Sequence, residues 1–409
     1  MRSKWRIVTI GDLVTLQRGF DLPSQDRRTG SIPVMGSAGI SGYHDKPSTK
    51  GPGVVIGRSG VGSMGVTSFI DRDFWALNTT LFVTDFKGND IGFIYYLLKS
   101  IDFRHLDSGS AQASLNRNVV YPIKVAVPAS EAEQRAISHL LFGIDQRIAL
   151  LRRTNETLES IARTLFKGWF VDFEPVRAKA QGREPASVDA ATALLFPDRF
   201  SDSSPGSLPI GWRLGRLGDV CTNPRGQAKP GVMPEDTPYI GLDHMPRRSI
   251  ALDTAGTADG LASGKFWFER NDVLFGKLRP YFHKVGLAPF RGVCSTDILV
   301  LRPTEPKWLG FVAMHASSDE LISYTTQLSN GARMPRTSWH DVAAFKVAIP
   351  SDDIANAFND LVSPLFQRIY ANIATTKLLA ELRDTLLPRL ISGKLRLPEC
   401  EEELREMIA

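Results

Sequence analysis

The chain has 409 residues, which is too long for one ordinary hydrophobic core, so we expect at least two domains. Its 43% hydrophobic and 23% charged residues are globular values, and no run of 18 apolar residues exists that could span a membrane. A net charge of +5 mildly favours a polyanionic partner, and three scattered cysteines exclude a disulfide framework or a zinc site.

The same features predict where the protein acts. The N-terminal sequence MRSKWRIVTIGDLV lacks the apolar segment of a signal peptide. Three unpatterned cysteines fit a reducing compartment. We therefore expect a cytoplasmic protein.

Residues 1–128 are predicted to form a first mixed α/β domain with many short strands. Alternating apolar and polar residues indicate strands, and glycine-rich turns separate them. Pro128 ends the last strand. The predicted elements are strands at 54–56, 66–69, 74–83 and 123–127 and a short helix at 91–100.

Residues 129–172 are predicted to form one long helix, which contains no proline. Ser130 is a candidate N-cap, and glutamates fill the first turn. Apolar residues then recur at spacings alternating between four and three, a heptad seam with one polar member, Asn155, that would fix register and partner. The seam residues are Ile137, Leu141, Ile144, Ile148, Leu151, Asn155, Leu158, Ala162, Leu165 and Trp169. Two interpretations stay open, a structural helix and a spacer whose length is the function.

Residues 173–211 are predicted to be a linker on the surface. Pro175 interrupts the helical pattern, and further prolines and glycines follow, with a short apolar patch at 193–196.

Residues 212–350 repeat the first domain. Trp212 begins the pattern W-R-x-x-x-[LI]-G-D that also begins at Trp5, and residues 345–350 (FKVAIP) match residues 123–128 (IKVAVP). Between these anchors the two copies differ widely. An internal repeat of this kind predicts two domains of one architecture.

The helix repeats as well, at residues 351–392. Its apolar positions and the polar Thr376 correspond to the first seam, with Thr376 matching Asn155, so the two seams are expected to pack on each other. Pro364 and Pro388 lie inside this helix, and we expect kinks or breaks there. The tail at 393–409 is expected to be poorly ordered.

The predicted fold class is α/β (α+β). Two similar mixed α/β domains are separated by two long antiparallel helices that form a coiled-coil spacer with a pseudo-twofold repeat. Two diverged recognition domains at a fixed separation suit duplex DNA, because half-sites on a regular helix are recognised at a set spacing. Their divergence predicts two different half-sites with unread base pairs between them.

At this point the sequence resembles the specificity subunit of type I restriction–modification systems, over essentially the whole chain. Four duplicated or ordered features carry the resemblance: the motif at Trp5 and Trp212, the Val-Pro or Ile-Pro strand end before each helix, the two helix ends, and the segment preceding Trp212. The helix ends read RTLFKGWFVDF (163–173) and LLPRLISGKL (386–395), and the preceding segment includes LFPDRF (195–200) and LPIGW (208–212).

The resemblance implies two target recognition domains, each reading one half of a bipartite, asymmetric site in double-stranded DNA. It implies that the paired helices set the gap and dock two methyltransferase (modification) subunits that bind S-adenosylmethionine and methylate adenine N6. Restriction subunits that use ATP and Mg²⁺ would complete the complex. The chain itself would have no catalytic residues, no metal and no cofactor of its own.

The motifs in the chain favour chemistry supplied by other subunits. Residues 60–65 match G-x-G-x-x-G, but a β-rich segment follows instead of a helix, so we interpret them as a tight turn or a DNA-facing loop rather than a dinucleotide site. The sequence contains no Walker motif and no Asp- or Asn-Pro-Pro-aromatic segment to hold a flipped base. The histidines show no metal-ligand spacing.

Candidate DNA contacts are cations, amides and aromatics in glycine-rich or polar loops, although each could be an ordinary solvated side chain. The best cluster is residues 277–284 (KLRPYFHK), where cations alternate with aromatics. In the first domain the candidates are Tyr43, His44, Lys46, Arg58, Ser59, Gln112, Asn116 and Arg117. In the second domain they are Arg225, Lys229, Arg247, Arg248, Lys277, Arg279, Tyr281, His283, Arg333 and Arg336.

The end of the first helix is the candidate site for subunit docking, because three large aromatics there exceed what a two-helix seam needs. Packing against the linker is the alternative for these rings, and a solvated face is the alternative for the charged helix exterior. The candidates are Arg163, Phe166, Trp169 and Phe170.

Two other classes of function remain open. A self-contained restriction or methylation enzyme would need the catalytic and cofactor motifs that are missing. A protein-interaction scaffold would need no DNA, and a weak salt dependence would distinguish it, since phosphate contacts make affinity fall steeply with salt.

Overall fold

The computed structural model describes residues 5–60, 62–106, 114–186, 188–201, 208–329, 334–400 and 402. The chain forms two compact units, of which the first combines residues 1–148 with 378–409 and the second comprises residues 149–377. Each unit therefore joins one predicted recognition domain to segments of both long helices. No helix in the described part of the chain is long and apolar enough to cross a membrane.

The first unit contains the strands and the short helix that the sequence predicts for residues 1–128. Its strands are β1 Trp5–Thr9, β2 Thr15–Arg18, β3 Ile32–Gly36, β4 Gly39–His44, β5 Gly53–Gly57, β6 Thr67–Ile70, β7 Trp75–Ala76, β8 Thr80–Asp85 and β9 Lys124–Pro128. Its helices before the long one are α1 Ile10–Leu13, α2 Ile91–Lys99 and α3 Arg117–Val120, with 3₁₀ turns at Ser24–Asp26 and Phe103–His105.

Strand β5 lies at the centre of the first unit. It pairs antiparallel with β6 and β8 in a sheet of order β2-β8-β5-β6 and is buried along its whole length. Successive side chains point to opposite faces of a strand, so Val54 and Ile56 enter the main core while Val55 enters a smaller one with Phe74. Strands β1 and β9 pair separately, and β4-β3-β7 form a third sheet.

The long helix α4 spans Glu131–Phe166. The amide of Gln134 donates to the Ser130 carbonyl oxygen (3.1 Å), so Ser130 stands at the predicted N-cap position. A π-helical turn, Lys167–Val171, follows, and Phe173 has a left-handed backbone (φ 52°) that ends the helix.

The second unit contains the repeat. Its strands are β10 Arg213–Arg216, β11 Cys221–Thr222, β12 Gln227–Ala228, β13 Pro238–Ile240, β14 Gly256–Thr257, β15 Lys265–Phe268, β16 Val273–Gly276, β17 Val285–Leu287, β18 Gly292–Cys294, β19 Ile298–Pro303 and β20 Lys346–Ile349. Its helices are α5 Glu174–Ala180, α6 Ala190–Leu195, α7 Leu309–Ala316, α8 Asp319–Leu328 and α9 Trp339–Ala343, followed by α10 Asp352–Ile391, with 3₁₀ turns at Leu217–Asp219, Pro280–Phe282 and Pro306–Trp308.

The two units share sheet order and register. Strands β11-β19-β16-β17 follow the order of β2-β8-β5-β6. In the small sheets, Arg6 is paired with Val127 and Arg213 with Ile349, the positions that the sequence repeat aligns. The remaining sheets diverge, because β12-β15-β18-β13-β14 has no counterpart in the order of β4-β3-β7. The predicted fold class is confirmed.

The helix seams are buried within each unit. In the first unit, Ile137 and Leu141 of α4 share a core with Leu386 and Leu390 of α10. In the second unit, α4 and α10 run antiparallel, since Asn155 contacts Asn372 and Phe166 lies 6.2 Å from Phe358 between ring centroids. Asn155 therefore bonds to Asn372. The buried hydroxyl of Thr376, the residue that the repeat aligns with Asn155, has no partner in the described part of the chain.

The expected breaks at Pro364 and Pro388 are wrong, because α10 continues through both residues. Both prolines lie on the exposed side of the helix, where water can bond to the carbonyls left without a donor. Their buried neighbours, such as Phe366 and Leu390, hold the helix by packing.

Two further expectations need correction. The linker at 173–211 contains α5 and α6, and its Val176 and Phe196 are buried in the core of the second unit. In the tail, Leu395 and Cys400 are buried in the core of the first unit, so the expectation of poor order is wrong for these residues. Residues 401 and 403–409 lie outside the described residues.

Candidate nucleic-acid interface

In the first unit, one cation stands where the central strand β5 leaves the core. The amide of Arg58 donates to the Thr79 carbonyl oxygen (2.8 Å), and the amide of Leu115 donates to the Arg58 carbonyl oxygen (2.8 Å). Ser59 forms a β-bridge with Ser114. Neighbouring segments therefore fix the backbone of Arg58 on both sides.

The second unit holds Lys277 in the same way at the end of β16. Its amide donates to the Asp297 carbonyl oxygen (2.9 Å), and its carbonyl accepts from the Thr337 amide (3.0 Å). Leu278 forms a β-bridge with Arg336, as Ser59 does with Ser114. We call this arrangement, the residue after the central strand with the two segments bonded to it, the strand-end frame. Arg58 and Lys277 occupy equivalent positions in it.

The turn after Lys277 presents further predicted residues. Arg279 and His283 both adopt left-handed backbones (φ 51°) on either side of the 3₁₀ turn Pro280–Phe282, and the Arg279 amide donates to the Pro335 carbonyl oxygen (2.8 Å). The guanidinium carbon of Arg247 lies 4.3 Å from the Phe282 ring centroid, and that of Arg279 lies 5.8 Å from it. Contacts of this kind hold the two cations beside the ring, with Arg247 exposed and Arg279 half-buried, and Tyr281 beside them is exposed.

His283 turns inward instead of facing the surface. Its Nε2 lies 2.9 Å from the Ser317 carbonyl oxygen and its Nδ1 lies 3.5 Å from Asp319 Oδ1. Burial lowers the pKa of His283, which favours the neutral ring. The side chain thus fixes the turn from inside and does not offer a cation to a ligand.

Three predicted cations surround one cleft of about 230 Å³ in the second unit. Arg225, Lys277 and Arg336 line it together with Phe266 and Trp339. Arg225 lies over the Phe266 ring (5.4 Å to the centroid), and Arg336 is 3.5 Å from Asp297 Oδ1. The cleft therefore combines positive charge with aromatic walls, as nucleic-acid sites do.

Arg248 and Lys229 lie away from this cleft. Arg248 has a left-handed backbone (φ 58°) and pairs with Asp319 at 3.0 Å. Its carbonyl accepts from Arg163 Nη2 (2.8 Å). Lys229 is exposed just after β12.

The remaining candidates of the first unit are dispersed. Tyr43 is exposed on β4 and lines a groove of about 310 Å³ with Ile40 and Arg72. His44 is buried, where its Nδ1 accepts from the Arg28 amide (3.1 Å). Lys46, Asn116 and Arg117 are exposed, Asn116 caps α3, and Ser59 is half-buried. Gln112 and Arg333 lie outside the described residues.

The aromatic residues predicted for docking belong to the core. Phe166, Trp169 and Phe170 are buried, with the Phe170 ring 4.8 Å from Phe358 and the Trp169 ring 5.0 Å from Phe196 between centroids. Trp169 therefore packs on the linker, which is the alternative that the sequence left open. These rings cannot form an exposed contact, while Arg163 is bound to Glu159 (2.9 Å) and to the loop at Arg248.

Sequence reasoning missed a pair of exposed apolar residues. Ile7 of β1 is 78% exposed and Leu214 of β10 is 54% exposed, and they occupy the same position of the repeat. Each lies opposite an alanine, Ala126 or Ala348. Aligning the two W-R motifs places Ile7 on Leu214 and could have drawn attention to them.

It also missed Glu159, a buried carboxylate on α4. Glu159 accepts hydrogen bonds from the Ser249 hydroxyl (2.7 Å) and the amides of Ile250 (3.0 Å) and Ala251 (3.2 Å). Burial raises its pKa, while these bonds and Arg163 oppose the increase. No sequence signal separates it from the solvated glutamates of the same helix.

In the described ranges, no group of three histidine, cysteine, aspartate or glutamate side chains is placed to hold a metal ion.

Known proteins give a consistent comparison. Residues 2–160 match the family model described as type I restriction modification DNA specificity domain. The chain is 25% identical over 323 residues to the type I restriction enzyme MjaIX specificity subunit of Methanocaldococcus jannaschii, covering 75% of this chain and 69% of the relative. It is 22% identical over 387 residues to the HindI specificity subunit of Haemophilus influenzae, covering 80% and 83%.

The fold agrees with a solved structure of the same kind. The crystal structure of the type I restriction–modification S subunit from M. genitalium matches 95% of this chain and 96% of that chain, with a TM-score of 0.60 and 17% identity. At this identity the likeness concerns the fold alone. Taken with the family match over residues 2–160 and the named relatives, it shows that the chain is similar to type I restriction–modification specificity subunits in part of its sequence and in its fold.

Proposed function

We propose that this chain selects the DNA sequence on which a type I restriction–modification complex acts, with each unit reading one half of a bipartite, asymmetric site. The observation that carries the proposal is the strand-end frame, which places Arg58 and Lys277 at equivalent positions in two units whose surrounding loops differ. Two different half-sites require two units with the same framework and different loops around it.

The chemistry of the second unit supports a DNA ligand. Arg225, Lys277 and Arg336 line one cleft, and Arg247 and Arg279 stack on Phe282 beside the exposed Tyr281. Guanidinium groups suit guanine edges and phosphates, and aromatic faces suit bases or sugars. The net charge of +5 agrees with a polyanion.

We propose that the methyltransferase subunits dock through a surface that occurs once in each unit. Ile7 and Leu214 are the exposed apolar centres of two small sheets with the same register. A surface apolar residue stabilises no core, so its presence at the same position of both copies favours a partner that binds twice. Arg163 on α4 remains a separate docking candidate, although its guanidinium is already engaged within the second unit.

The chemistry would then belong to the partners. The proposal assigns S-adenosylmethionine to the methyltransferase subunits, ATP and Mg²⁺ to restriction subunits, and no catalytic step to this chain, with the complex acting in the cytoplasm.

The helices are proposed to set the number of unread base pairs, since α4 and α10 each supply residues to both units. One heptad adds about 10.5 Å to a helix at about 1.5 Å per residue, and a duplex rises about 3.4 Å per base pair. A heptad inserted into both helices is therefore expected to lengthen the gap by about three base pairs. An unchanged gap would refute this part of the proposal.

Mapping of adenine methylation across the genome tests the main proposal. Deletion of the gene for this chain is expected to remove one bipartite methylated motif, and reintroduction is expected to restore it. If the methylation pattern is unchanged while the methyltransferase is expressed and active, the proposal is wrong. A complex whose DNA affinity does not fall with salt would instead favour the protein scaffold.

A further inference from the structure

Arg58 and Lys277 share the strand-end frame, but their neighbours in it do not share chemistry. Ser59 corresponds to Leu278, Thr79 to Asp297, and Ser114 to Arg336, according to equivalent hydrogen bonds and β-bridges. The positive charge is thus common to both copies, whereas the polarity around it has changed.

The charge balance of the two frames is nevertheless equal. In the strand-end frame of the first unit, Arg58 is charged, whereas its neighbours Ser59, Thr79 and Ser114 are neutral. In the second unit Asp297 lies 3.5 Å from Arg336, so this ion pair cancels itself and leaves the charge of Lys277. Each frame therefore carries one net positive charge.

No described residue of the protein pairs with the side chain of either cation. In the part of the chain that the structure describes, the side chains of Arg58 and Lys277 have no hydrogen-bond or ion-pair partner, and both are half-buried. Their backbones, in contrast, are bonded on both sides. A fixed backbone and a free, partly covered cation form a receptor for an anion that arrives from outside.

We propose that Arg58 and Lys277 are equivalent phosphate-binding positions, each holding one phosphodiester group of the DNA backbone without reading sequence. This inference rests on the proposed function and assigns a role within it. Base recognition then belongs to the loops that differ between the units.

The first unit has an arginine at this position and the second has a lysine, and this difference favours a phosphate over a base as the ligand. A bidentate contact to guanine depends on the planar guanidinium fork, which a lysine does not reproduce. A phosphate accepts either cation, and two units that read different sequences still meet the same backbone. The two copies thus keep the positive charge and differ in the charged group, a guanidinium in Arg58 and an ammonium in Lys277, which fits a phosphate ligand.

The adjacent loops have the opposite character. After Lys277 the chain turns through Arg279 and His283 with left-handed backbones and exposes Tyr281. After Arg58 the corresponding turn uses glycines, with positive φ at Gly60 and Gly65. These loops differ in shape and in side chains, as base-reading elements of unequal half-sites must.

The test uses the full chain, purified from its host with the subunits that accompany it. A pool of randomised DNA duplexes is offered, the bound fraction is sequenced to obtain the motif, and affinity for one selected and one unselected duplex is measured over a salt series. The variants are Arg58→Ala and Lys277→Ala, with Arg58→Lys and Lys277→Arg as matched controls that keep the charge. Thermal unfolding confirms that each variant is folded.

Each alanine variant is expected to weaken binding to both duplexes by the same factor, about tenfold, and to reduce the slope of log affinity against log salt by about 0.9. The selected motif should not change, and the charge-keeping variants should retain affinity and slope. A changed half-site in either alanine variant, or an unchanged salt slope, would overturn the inference while the proposed function stands. A wild-type chain that selects no motif would remove the proposed function itself.

Discussion

Asn372 donates a hydrogen bond from its side-chain nitrogen to the side-chain oxygen of Asn155 across 2.8 Å, and both amides are buried between α4 and α10 within the second unit. The rest of this seam is largely apolar, with residues such as Ile369 and Ile373 in the same core. A buried amide pair is satisfied only in one register, because a shift of either helix would leave both amides without a partner. The pair thus gives the seam its alignment.

Replacing one member of this pair should cost more than replacing both. Asn155→Leu leaves the Asn372 amide buried and unpaired, and we expect it to lower the free energy of unfolding by about 1–3 kcal/mol. The double variant with Asn372→Leu should recover much of that loss, since two apolar side chains satisfy each other. Chemical unfolding of the single and double variants measures this coupling. Additive losses would show that the two amides act independently.

The sequence predicted this seam and the repeat because both are periodic. Heptad spacing depends on apolar residues alone, and the W-R motifs align β1 with β10 in the register that the strands adopt. The partner of Asn155 was not predictable in the same way. The repeat aligns Asn155 with Thr376 as its counterpart in the second long helix, which does not say which residue lies opposite Asn155. The side-chain contact that forms is with Asn372.

Site residues were harder to predict than elements because their orientation depends on the backbone. The cluster at 277–284 was found from its composition, but the left-handed backbones of Arg279 and His283 carry no sequence signal, since neither residue is glycine. His283 therefore turns inward while Tyr281 stays exposed. Phe170 was predicted as a docking contact because three aromatics exceed what a two-helix seam needs, whereas its ring packs on Phe358.

Glu159 should make the stability of the second unit depend on pH. Burial raises its pKa above the ordinary value of 4.5, so the folded state holds the proton more tightly than the unfolded state does. This contribution is fully present below the unfolded pKa and is lost as the pH rises through the folded pKa. The wild-type chain is thus expected to lose stability relative to Glu159→Gln over that range.

The measurement for Glu159 is the difference in unfolding free energy between the wild type and Glu159→Gln as a function of pH. Gln keeps the size of the side chain but cannot ionise. Glu156→Gln on the same helix is the matched control, because Glu156 is exposed. A difference that does not change with pH would contradict the prediction.

Ile7→Ser and Leu214→Ser should reduce partner binding without reducing stability. Both side chains are largely exposed, so their replacement exposes no core and is expected to change the unfolding free energy by less than about 0.5 kcal/mol. Each single variant should lose one of two methyltransferase subunits, and the double variant should lose both. Mass measurement of the purified complex gives the stoichiometry.

Ile40→Ser is the matched control for this docking surface. Ile40 is 59% exposed, but it lies on β4, in a sheet that the second unit does not repeat. We expect it to leave the stoichiometry unchanged. If Ile40→Ser disrupts the complex as strongly as Ile7→Ser, exposed apolar residues in general would account for the effect.

Arg279→Ala should change the recognition of one half-site only. The half-buried Arg279 lies beside Phe282, with its guanidinium carbon 5.8 Å from the ring centroid. Loss of a guanidinium contact to a base costs about 1–3 kcal/mol in discrimination. The methylated motif should therefore become degenerate in the half read by the second unit while the other half is retained. Because Arg279 has a left-handed backbone, Arg279→Asn separates side-chain chemistry from backbone strain, since asparagine tolerates this conformation better than alanine. Methylation mapping in cells carrying each variant gives the motif, and equal degeneracy in both halves would show that Arg279 does not read bases.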